Sequence, residues 1–190
     1  MRVSSFDPSS YRNLGWAVID YEPALGKMLS YEAGTYVTPR EFERHECLPY
    51  VFDFVQQFLA EKKPDLMVIE QTSSFQSKGK NFVAGQVAQC IGIMIALCLK
   101  KSIAIQFVFP SHSKKVVVGK GKATKSEMQK SAEHVLNALG VEGKIKFDSE
   151  HAADALGNIF CHLSDTGVFV LPAPLFTKPK KAKKKDKDNG

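Results

Sequence analysis

Cysteine is sparse in this chain of 190 residues, and the four cysteines, at positions 47, 90, 98 and 161, form no C-x-x-C pair. No disulfide framework is therefore indicated. The chain also lacks a charged start followed by an apolar segment, so we expect no secretion signal. Both absences favour reduced thiols and an intracellular protein.

Long apolar runs are also missing from the chain. The longest, CIGIMIALCL at residues 90–99, has about half of the roughly 20 residues that a membrane-spanning helix needs. We therefore expect a buried helix there, with no membrane segment and no membrane partner. No internal repeat is present. With 44% hydrophobic residues, the chain can bury the core of one globular domain, which we place at residues 1–176.

Positive charge is concentrated in two segments of a chain whose net charge is +6. Residues 177–190 hold seven lysines and two aspartates, a net of +5. We expect them to form a disordered, lysine-rich tail, which is either a solubility segment or an arm that binds polyanions. Residues 110–130 hold six lysines and one glutamate, another +5. Because these lysines alternate with Val and Gly inside the domain, they favour a surface that faces phosphates.

Strands are predicted from five short apolar runs. Runs at residues 1–7, 14–21 and 26–37 are separated by turns rich in Pro, Ser, Asn and Gly, which predicts a meander of three strands. The segments DLMVIE and SIAIQFVFP predict two further strands, and the first of them is continuously apolar, as in strands covered on both faces. The sequence thus predicts a sheet of five strands.

Helices are predicted from apolar residues that recur at spacings of three and four. One such pattern covers residues 39–62, where Pro49 favours a break, and a second covers residues 81–100. After a lysine-rich loop, further helices are predicted over residues 124–139 and 149–164. The order βββαβαβαα favours an α/β fold with a mixed sheet and helices on both of its faces.

Two carboxylates lie at the ends of predicted strands. Asp7 ends the first strand and Glu70 ends DLMVIE, and in such sheets ligands collect at the carboxyl ends of the central strands. If the two strands are neighbours, the two carboxylates can meet at one edge. The alternative for Asp7 is a simpler role, in which it caps the turn before Pro8.

A third acidic group lies in the segment FDSEHAADALGNIF. His151 and Asp154 are three residues apart and project from one face of the predicted helix, although a histidine on a helix is commonly an ordinary surface group. The small residues around them would let this helix lie close against a sheet. Oxygen ligands with one imidazole suit Mg²⁺ or Mn²⁺ better than zinc, so we expect a metal site.

Four segments together resemble one protein family. FDPSSYRNLGWAVI, PDLMVIEQ, KKVVVGKGKATKSEM and HAADALGNIF are similar, in this order, to the motifs of RuvC-type Holliday junction resolvases, which are ribonuclease H-like nucleases. Each motif is short, but the four stand in the right order and on the expected elements. Ser9 departs from the pattern, since the family usually has glycine there. The resemblance covers nearly the whole predicted domain and implies a ribonuclease H-like fold.

The resemblance implies roles for particular residues. It places a metal-binding set, with two Mg²⁺ or Mn²⁺ ions per site, at Asp7, Glu70, His151 and Asp154. It places active-site lysines at Lys114 and Lys125. The family also has an aromatic residue shortly after the glutamate, which stands later here. That residue is Phe75, where we expect a DNA contact. We also expect DNA contacts at the lysines of the basic segments: Lys78, Lys80, Lys114, Lys115, Lys120, Lys122 and Lys125.

The implied activity is hydrolysis of phosphodiesters in four-way DNA junctions, leaving 5′-phosphate and 3′-hydroxyl ends. The residues fit this chemistry, because carboxylates can hold divalent ions while lysines offset charge on the phosphate. One alternative is a ribonuclease H-like nuclease for flaps, other branched DNA or RNA/DNA hybrids. Another is a nucleic-acid-binding module without catalysis, in which the acids cap turns and the lysines hold the DNA backbone.

A nucleotide hydrolase is a weaker alternative. GKGKATKS nearly matches a P-loop, but Thr124 stands where that motif needs a glycine before the lysine. The segment also comes well after the preceding predicted strand, whereas a P-loop follows its strand directly. We therefore do not expect ATP binding.

Paired cuts in opposed strands imply a homodimer, since a two-fold pair of sites would supply both cuts. The helix containing Gly85, Gly92, Met94 and Leu97 is a candidate interface. Branched DNA, above all four-way junctions, is the expected partner, and a helicase partner is compatible with this interpretation although no motif identifies one. The expected location is the cytoplasm or the nucleoid, or a host cell if the source is a virus.

Overall fold

The computed structural model describes residues 1–43, 46–71, 81–140, 147 and 149–177. Their strands form one 5-stranded sheet. The strands are β1 (Arg2–Pro8), β2 (Asn13–Glu22), β3 (Lys27–Val37), β4 (Leu66–Glu70) and β5 (Ala104–Val108). The helices are α1 (Cys47–Lys62), α2 (Asn81–Lys100), α3 (Pro110–Val118), α4 (Lys125–Ala138) and α5 (Glu150–Asp165).

The sheet is mixed, with the strand order β3-β2-β1-β4-β5. The first three strands pair antiparallel as a meander, while β1 with β4 and β4 with β5 pair parallel. The predicted five-stranded mixed sheet is therefore confirmed. In the β1–β4 register Phe6 lies opposite Ile69, so the residues that follow them reach the same edge of the sheet.

Alternation of side chains along each strand divides the core into two clusters. Val3, Ala17 and Val68 belong to the cluster under α3, α4 and α5. Phe6 and Ile69 belong to the cluster under α1 and α2. Because neighbouring residues in a strand point to opposite faces, the residue after Phe6 and the residue after Ile69 both point toward α5. Helices therefore cover both faces of the sheet, as predicted.

Two predicted elements differ from the structure. The predicted lysine-rich loop is wrong in its first half, because Pro110–Val118 is helix α3. Pro110 is the first residue of the helix, where its missing N–H group costs no hydrogen bond. Gly119 ends the helix in a left-handed conformation with φ 93°. The helix predicted from residue 39 begins only at Cys47, and Pro49 does not break it, since the first-turn N–H groups have no partner inside the helix.

Helix α2 is long and apolar enough over Val83–Lys100 to span a membrane, judged by length and composition alone. One side of it is buried in the core through Val87, Cys90, Met94 and Cys98. The spacing of these residues is that of one helical face packed against a sheet. Burial in the core of the domain thus accounts for part of the apolar character of α2, since 33% of this window is buried.

Candidate active site

Asp7 and Glu70 lie at one edge of the sheet, as the strand pattern predicted. Asp7 is the second-last residue of β1 and Glu70 is the last residue of β4. These strands are parallel neighbours, and both side chains are on the α5 face. Asp7 is buried, with only 6% of its surface exposed. Its carboxylate contacts α5, so the predicted alternative of a simple turn cap does not describe its surroundings.

Gly15 allows α5 to come close to the two carboxylates. It pairs with Asp7 across the β1–β2 ladder. A Cβ atom on Gly15 would lie 2.2 Å from the backbone oxygen of His151. Only a residue without a side chain fits this contact, which brings the first turn of α5 against β2.

The N-terminus of α5 is fixed by Ser149. Its Oγ accepts hydrogen bonds from the backbone N–H groups of His151 (3.1 Å) and Ala152 (3.3 Å), as in a helix N-cap. The same hydroxyl contacts Thr35 Oγ1 on β3. The cap therefore anchors the first turn of α5 to the sheet, and with it the orientation of His151.

His151 and Asp154 both join the carboxylate pair. His151 Nδ1 donates a hydrogen bond of 2.9 Å to Asp7 Oδ2, and its Nε2 lies 3.8 Å from Glu150 Oε1. Asp154 lies one turn further along α5, where its charge acts on Glu70. The structure thus brings together the four predicted residues of the metal-binding set.

The electrostatics of this cluster disfavour its negative charges. Burial, followed by repulsion from Asp7 and Asp154, raises the pKa of Glu70 to about 8. Burial and then Asp7 raise the pKa of Asp154 to about 6. Lys114 opposes both shifts, but it does not cancel them. Several carboxylates crowded into a half-buried site are stabilised as anions by a bound cation.

The donor set also suits a hard divalent cation. Asp154 Oδ1 is buried and has no hydrogen-bond partner among the described residues. A buried carboxylate oxygen without a partner is costly unless a ligand satisfies it. The neighbouring donors are mainly carboxylate oxygens, the atoms that Mg²⁺ and Mn²⁺ prefer. By the chemistry of their donor atoms, Asp7, Glu70 and Asp154, with His151 beside them, therefore suit such an ion.

The comparisons with known proteins point to one family. Residues 3–162 match the family model of crossover junction endodeoxyribonuclease RuvC. This chain belongs to the RuvC family. The crossover junction endodeoxyribonuclease RuvC of Fusobacterium nucleatum is 30% identical over 167 residues, which is 88% of this chain and 82% of the relative. The protein of the same name from Syntrophomonas wolfei is 31% identical over 163 residues, covering 86% and 88% of the two chains.

Solved structures show the same fold. Thermus thermophilus RuvC in complex with Holliday junction substrate matches with a TM-score of 0.66 at 22% identity, over 90% of this chain and 99% of that one. The yeast mitochondrial Holliday junction resolvase Ydc2 matches with a TM-score of 0.51 at 11% identity, over 84% and 74% of the two chains. The resemblance and the ribonuclease H-like fold are therefore both confirmed, and this RuvC-family chain is an endodeoxyribonuclease.

Two of the predicted lysines of this RuvC-family chain lie near the acidic cluster. Lys114 is on α3, and its charge lowers the pKa values of both Glu70 and Asp154. Lys125 is the first residue of α4, forms an ion pair with Glu150 and also lowers the pKa of Asp154. Cations therefore line one side of the acidic site.

The other predicted DNA contacts extend away from this site. Lys115 and Lys122 are exposed. Lys120 pairs with Glu127 and lies 5.7 Å from the ring centroid of Phe176, so part of its charge is compensated. GKGKATKS connects two helices here, with Thr124 capping α4, so it does not have the strand-to-helix position of a P-loop. Three predicted contacts lie outside the described residues: Phe75, Lys78 and Lys80.

Sequence reasoning missed Asn158, which lies one turn after Asp154 on α5. Its side chain is fully buried. Hydrogen bonding from its amide to Glu70 lowers the pKa of that carboxyl, but the contact is loose, since neither amide atom makes a well-formed hydrogen bond among the described residues. A buried amide beside the acidic cluster can therefore orient Glu70. The signal in the sequence was a polar residue within the apolar run ALGNIF.

Two further features complete the surroundings of the site. Ser9, which replaces the usual glycine of the family, donates a hydrogen bond of 3.1 Å from its Oγ to the backbone oxygen of Asn13, so the hydroxyl closes the β1–β2 turn. A cleft of about 450 Å³ opens beside His151. Its lining is mostly polar: Asn13, Thr35, Val37, Gln129, Ser149, Glu150 and His151.

Proposed function

We propose that this chain resolves four-way DNA junctions by metal-dependent phosphodiester hydrolysis, with Asp7, Glu70 and Asp154 as metal ligands. The observation that carries the proposal is the meeting of these three carboxylates on one sheet face, where burial raises the pKa of Glu70 and Asp154. Two bound Mg²⁺ or Mn²⁺ ions would supply an activated water and stabilise the departing 3′ oxygen. The products would carry 5′-phosphate and 3′-hydroxyl ends.

The residues of this chain hold and orient these components. Asp7 and Glu70 come from neighbouring strands and are fixed by the sheet, while Asp154 is fixed by the close packing of α5. His151 donates a hydrogen bond to Asp7, which orients that carboxylate and leaves Nε2 directed toward Glu150. His151 therefore acts as a metal ligand or as the group that orients a carboxylate or water.

Lys114 and Lys125 contact the phosphate in this proposal. Both carry positive charge beside the acidic cluster, where extra negative charge develops on the phosphate during hydrolysis. Lys125 is 62% exposed and shares its charge with Glu150, so it can exchange that partner for a phosphate oxygen. Lys115, Lys120 and Lys122 extend the basic surface along the DNA backbone and contribute salt-dependent affinity.

A homodimer supplies the second cut. The predicted interface is the helix that contains Gly85, Gly92, Met94 and Leu97, now α2. Met94 and Leu97 are buried in the core of one chain and do not contribute to it. Gly85 and Gly92 remain candidates for the interface, because no atom from another part of the described chain lies within 4 Å of the position where a Cβ atom would stand on either residue. The exposed stripe along α2 has a spacing of four and three and consists of Gly85, Gln89, Gly92, Ala96 and Leu99.

This stripe fits the same stripe on a second copy. Small residues at this spacing let two helices approach closely, and the exposed apolar Leu99 (67% exposed) would be covered by such a contact. Since α2 lies on the opposite sheet face from the acidic site, pairing through α2 leaves both sites open to DNA. We therefore propose α2 as the dimer interface.

The tail at residues 177–190 contributes nonspecific DNA affinity in this proposal. Its starting point supports this, because Phe176 lies against Lys120 and Thr177 lies beside Gly119. Thr177, the residue that precedes the seven lysines in the sequence, therefore lies next to the basic α3–α4 connection. An enzyme with this substrate acts where DNA is present, which places it in the cytoplasm or nucleoid, or in a host cell for a viral protein.

The direct test compares cleavage of a four-way junction, a flap, a duplex and an RNA/DNA hybrid in Mg²⁺. We expect the junction to be cut fastest, at paired positions in opposed strands. Glu70→Gln is the matched control, because it removes the charge of one ligand and keeps the size of the side chain. Faster cleavage of the flap or the hybrid would favour the broader ribonuclease H-like activity. Binding without cleavage of any substrate would contradict an enzymatic role.

A further inference from the structure

A second cluster of metal-binding side chains lies at the far end of α5. His112 on α3 contacts Asp165 on α5 through Nε2 and Oδ2 at 2.9 Å. The thiol of Cys161 donates to the same Oδ2 at 3.6 Å. The three donor atoms lie within 4.8 Å of one another. Among the described residues, only this group combines a sulfur, a nitrogen and an oxygen donor in this way.

We propose that His112, Cys161 and Asp165 form a zinc site that is distinct from the catalytic metal site. Asp154 and Asp165 are separated along α5 by about 16 Å, at 1.5 Å per residue. The two donor sets also differ in chemistry. The catalytic cluster is rich in carboxylate oxygens and suits Mg²⁺, whereas thiolate, imidazole and carboxylate together suit zinc.

Two of the three donor-atom distances are close to those of a tetrahedral zinc site, while the sulfur–nitrogen pair lies within 4.8 Å and has to adjust on binding. Zinc–ligand bonds of about 2.0 to 2.3 Å place neighbouring ligand atoms about 3.3 to 3.8 Å apart. The sulfur–oxygen distance of 3.6 Å already matches this value. The nitrogen–oxygen pair at 2.9 Å is a hydrogen bond and has to open by about 0.5 Å, which two half-exposed side chains can do.

The burial pattern supports a site with three protein ligands and an open position. Cys161 is fully buried, while the side chains of His112 and Asp165 are 48% and 46% exposed. A metal ion can therefore reach the cluster from solvent while its thiolate bond is shielded. On binding, the thiol proton is released to solvent and the zinc–sulfur bond forms in its place. Water completes the fourth position.

The position of this site suggests an effect on the acidic cluster. His112 is on α3 two residues before Lys114, and Cys161 and Asp165 are on the helix that carries His151 and Asp154. Zinc would therefore tie α3 to α5 and restrain Lys114 relative to the acidic cluster. The site would act as a structural clamp between these two helices.

Cobalt absorption tests the proposal with a readout that is independent of DNA cleavage. The reduced full chain is titrated with Co²⁺ in excess Mg²⁺, and thiolate ligation appears as a sulfur-to-cobalt charge-transfer band. We expect one equivalent of Co²⁺ to produce this band and Zn²⁺ to displace it. Glu70→Gln should keep the band, because it alters only the catalytic cluster. A wild-type chain without the band would show that His112 and Asp165 form an ion pair only.

Variants locate the ligands. Cys161→Ser should abolish the band, and His112→Gln and Asp165→Asn should weaken Zn²⁺ binding by about 100-fold or more, since changes outside the ligand set already cost 10- to 100-fold. The matched control is Cys90→Ser, which removes another buried thiol. If Cys161→Ser does not fold, the two half-exposed positions decide the question. Unchanged zinc affinity in both, or loss of the band in Cys90→Ser, would overturn the proposal.

Hydrogen exchange of α3 tests the clamp itself. Zinc should slow amide exchange in α3 of the wild-type chain and leave it unchanged in His112→Gln. His134→Gln on α4 is a control for general histidine binding, and it should respond to zinc like the wild type. Equal slowing in His112→Gln would contradict the proposed clamp.

Discussion

The two faces of the sheet are built from the same strands but are covered in different ways. On the α1 and α2 face, aromatic side chains fill the space. The ring centroids of Tyr36 and Phe54 are 4.2 Å apart and stacked, and those of Phe6 and Phe58 are 4.8 Å apart. On the α5 face aromatic side chains such as Phe160 and Phe169 are also buried, but beside the acidic cluster the helix residues are small, and the helix backbone comes to the strand at Gly15. Large side chains keep a helix at a distance from the sheet. Glycine and alanine instead let the helix come close, so that charged groups on the helix and the strands can meet.

This difference explains why the acidic cluster lies on only one face. Large apolar side chains bury much surface and stabilise the fold, but they leave no room for a group of carboxylates. The alanines in the first turns of α5 let the helix lie close to the sheet, which places His151 and Asp154 next to Asp7 and Glu70. We therefore expect changes on the α5 face to affect activity most and changes on the α1 and α2 face to affect mainly stability and assembly.

The largest effect is expected from Asp7→Asn and Glu70→Gln. Each change keeps the shape of the side chain and removes a negative charge, which weakens the metal and reduces repulsion of DNA. Junction cleavage in Mg²⁺ should fall by about 10³-fold or more, because metal activation and charge stabilisation each contribute several kcal/mol. Junction affinity in Ca²⁺ should be kept or increased.

Asp53→Asn on α1 is the matched control from the other face, and its cleavage rate should equal that of the wild type. All three variants should first be shown to melt like the wild type. If Asp7→Asn remains folded and cuts at nearly the wild-type rate, Asp7 is only a structural residue. The proposed site would then be wrong.

A pair of glycine substitutions compares the two faces directly. Gly15→Ala places a methyl group against the backbone of His151, whereas Gly34→Ala places it against the ring of Trp16, 2.7 Å away. Both should destabilise the fold, by about 1 to 3 kcal/mol each. Only Gly15→Ala moves α5, so the cleavage rate of its folded fraction should fall by about 100-fold, because a shift near 1 Å costs that much.

The measurement combines thermal unfolding with single-turnover cleavage below the melting transition. For Gly34→Ala, the rate per folded molecule should stay within about twofold of wild type, since Trp16 lies on the other face. An equal loss of cleavage rate in both variants would show that the close contact between α5 and β2 at Gly15 has no special role in the site.

Much of this arrangement could be predicted from the sequence. Period-two alternation and strand ends located Asp7 and Glu70, because both signals are local. Helix spacing located His151 and Asp154. The roles of Gly15 and Asn158 could not be predicted, since each depends on a contact with a distant part of the chain. Helix α3 was missed although Pro110 and Gly119 mark its ends, because its short apolar pattern was read as a loop between charged residues.

The pH dependence of stability sharpens the electrostatic part of the comparison. In the metal-free protein Glu70 has a raised pKa of about 8, so the folded state holds a proton that the unfolded state releases near pH 4.5. The contribution of Glu70 to stability should therefore be fully present below about pH 4.5 and be lost as pH rises toward 8, by about 1.4 kcal/mol per unit of pKa difference. Denaturant unfolding in EDTA at pH 5 and pH 8 measures this loss.

Glu70→Gln supplies the control for this titration. Removing the ionisable group should make the variant lose less stability than the wild type between pH 5 and pH 8. Added Mg²⁺ should restore more stability to the wild type at pH 8 than at pH 5, because it binds the ionised carboxylates. The same pH slope in variant and wild type would show that Glu70 is not the group responsible.

The outer surface of α2 tests the other face of the sheet. Ala96→Glu places a charge in the exposed stripe, where two copies of α2 would meet, and should convert a dimer into a monomer in sedimentation experiments. The monomer should nick junctions without pairing the two cuts. Ala60→Glu on α1 is the matched control, because it adds the same charge at another exposed helical alanine, and it should remain dimeric. A monomeric wild type that still makes paired cuts would contradict the proposed interface.

The smallest effect is expected from deleting residues 178–190. This tail follows Thr177, which lies beside Gly119. We expect it to contribute positive charge but no defined binding surface. Its loss should weaken binding to junctions, flaps and duplexes by a similar factor, about tenfold at low salt, and should flatten the salt dependence of binding. The positions of the cuts should not change, because backbone contacts carry no sequence or branch information by themselves. A neutral tail of equal length, with every lysine replaced by glutamine and both aspartates by asparagine, separates charge from length and should behave like the deletion. If either variant loses its preference for junctions over duplexes, the recognition surface includes the tail, and the division between a selective folded domain and a nonselective arm is wrong.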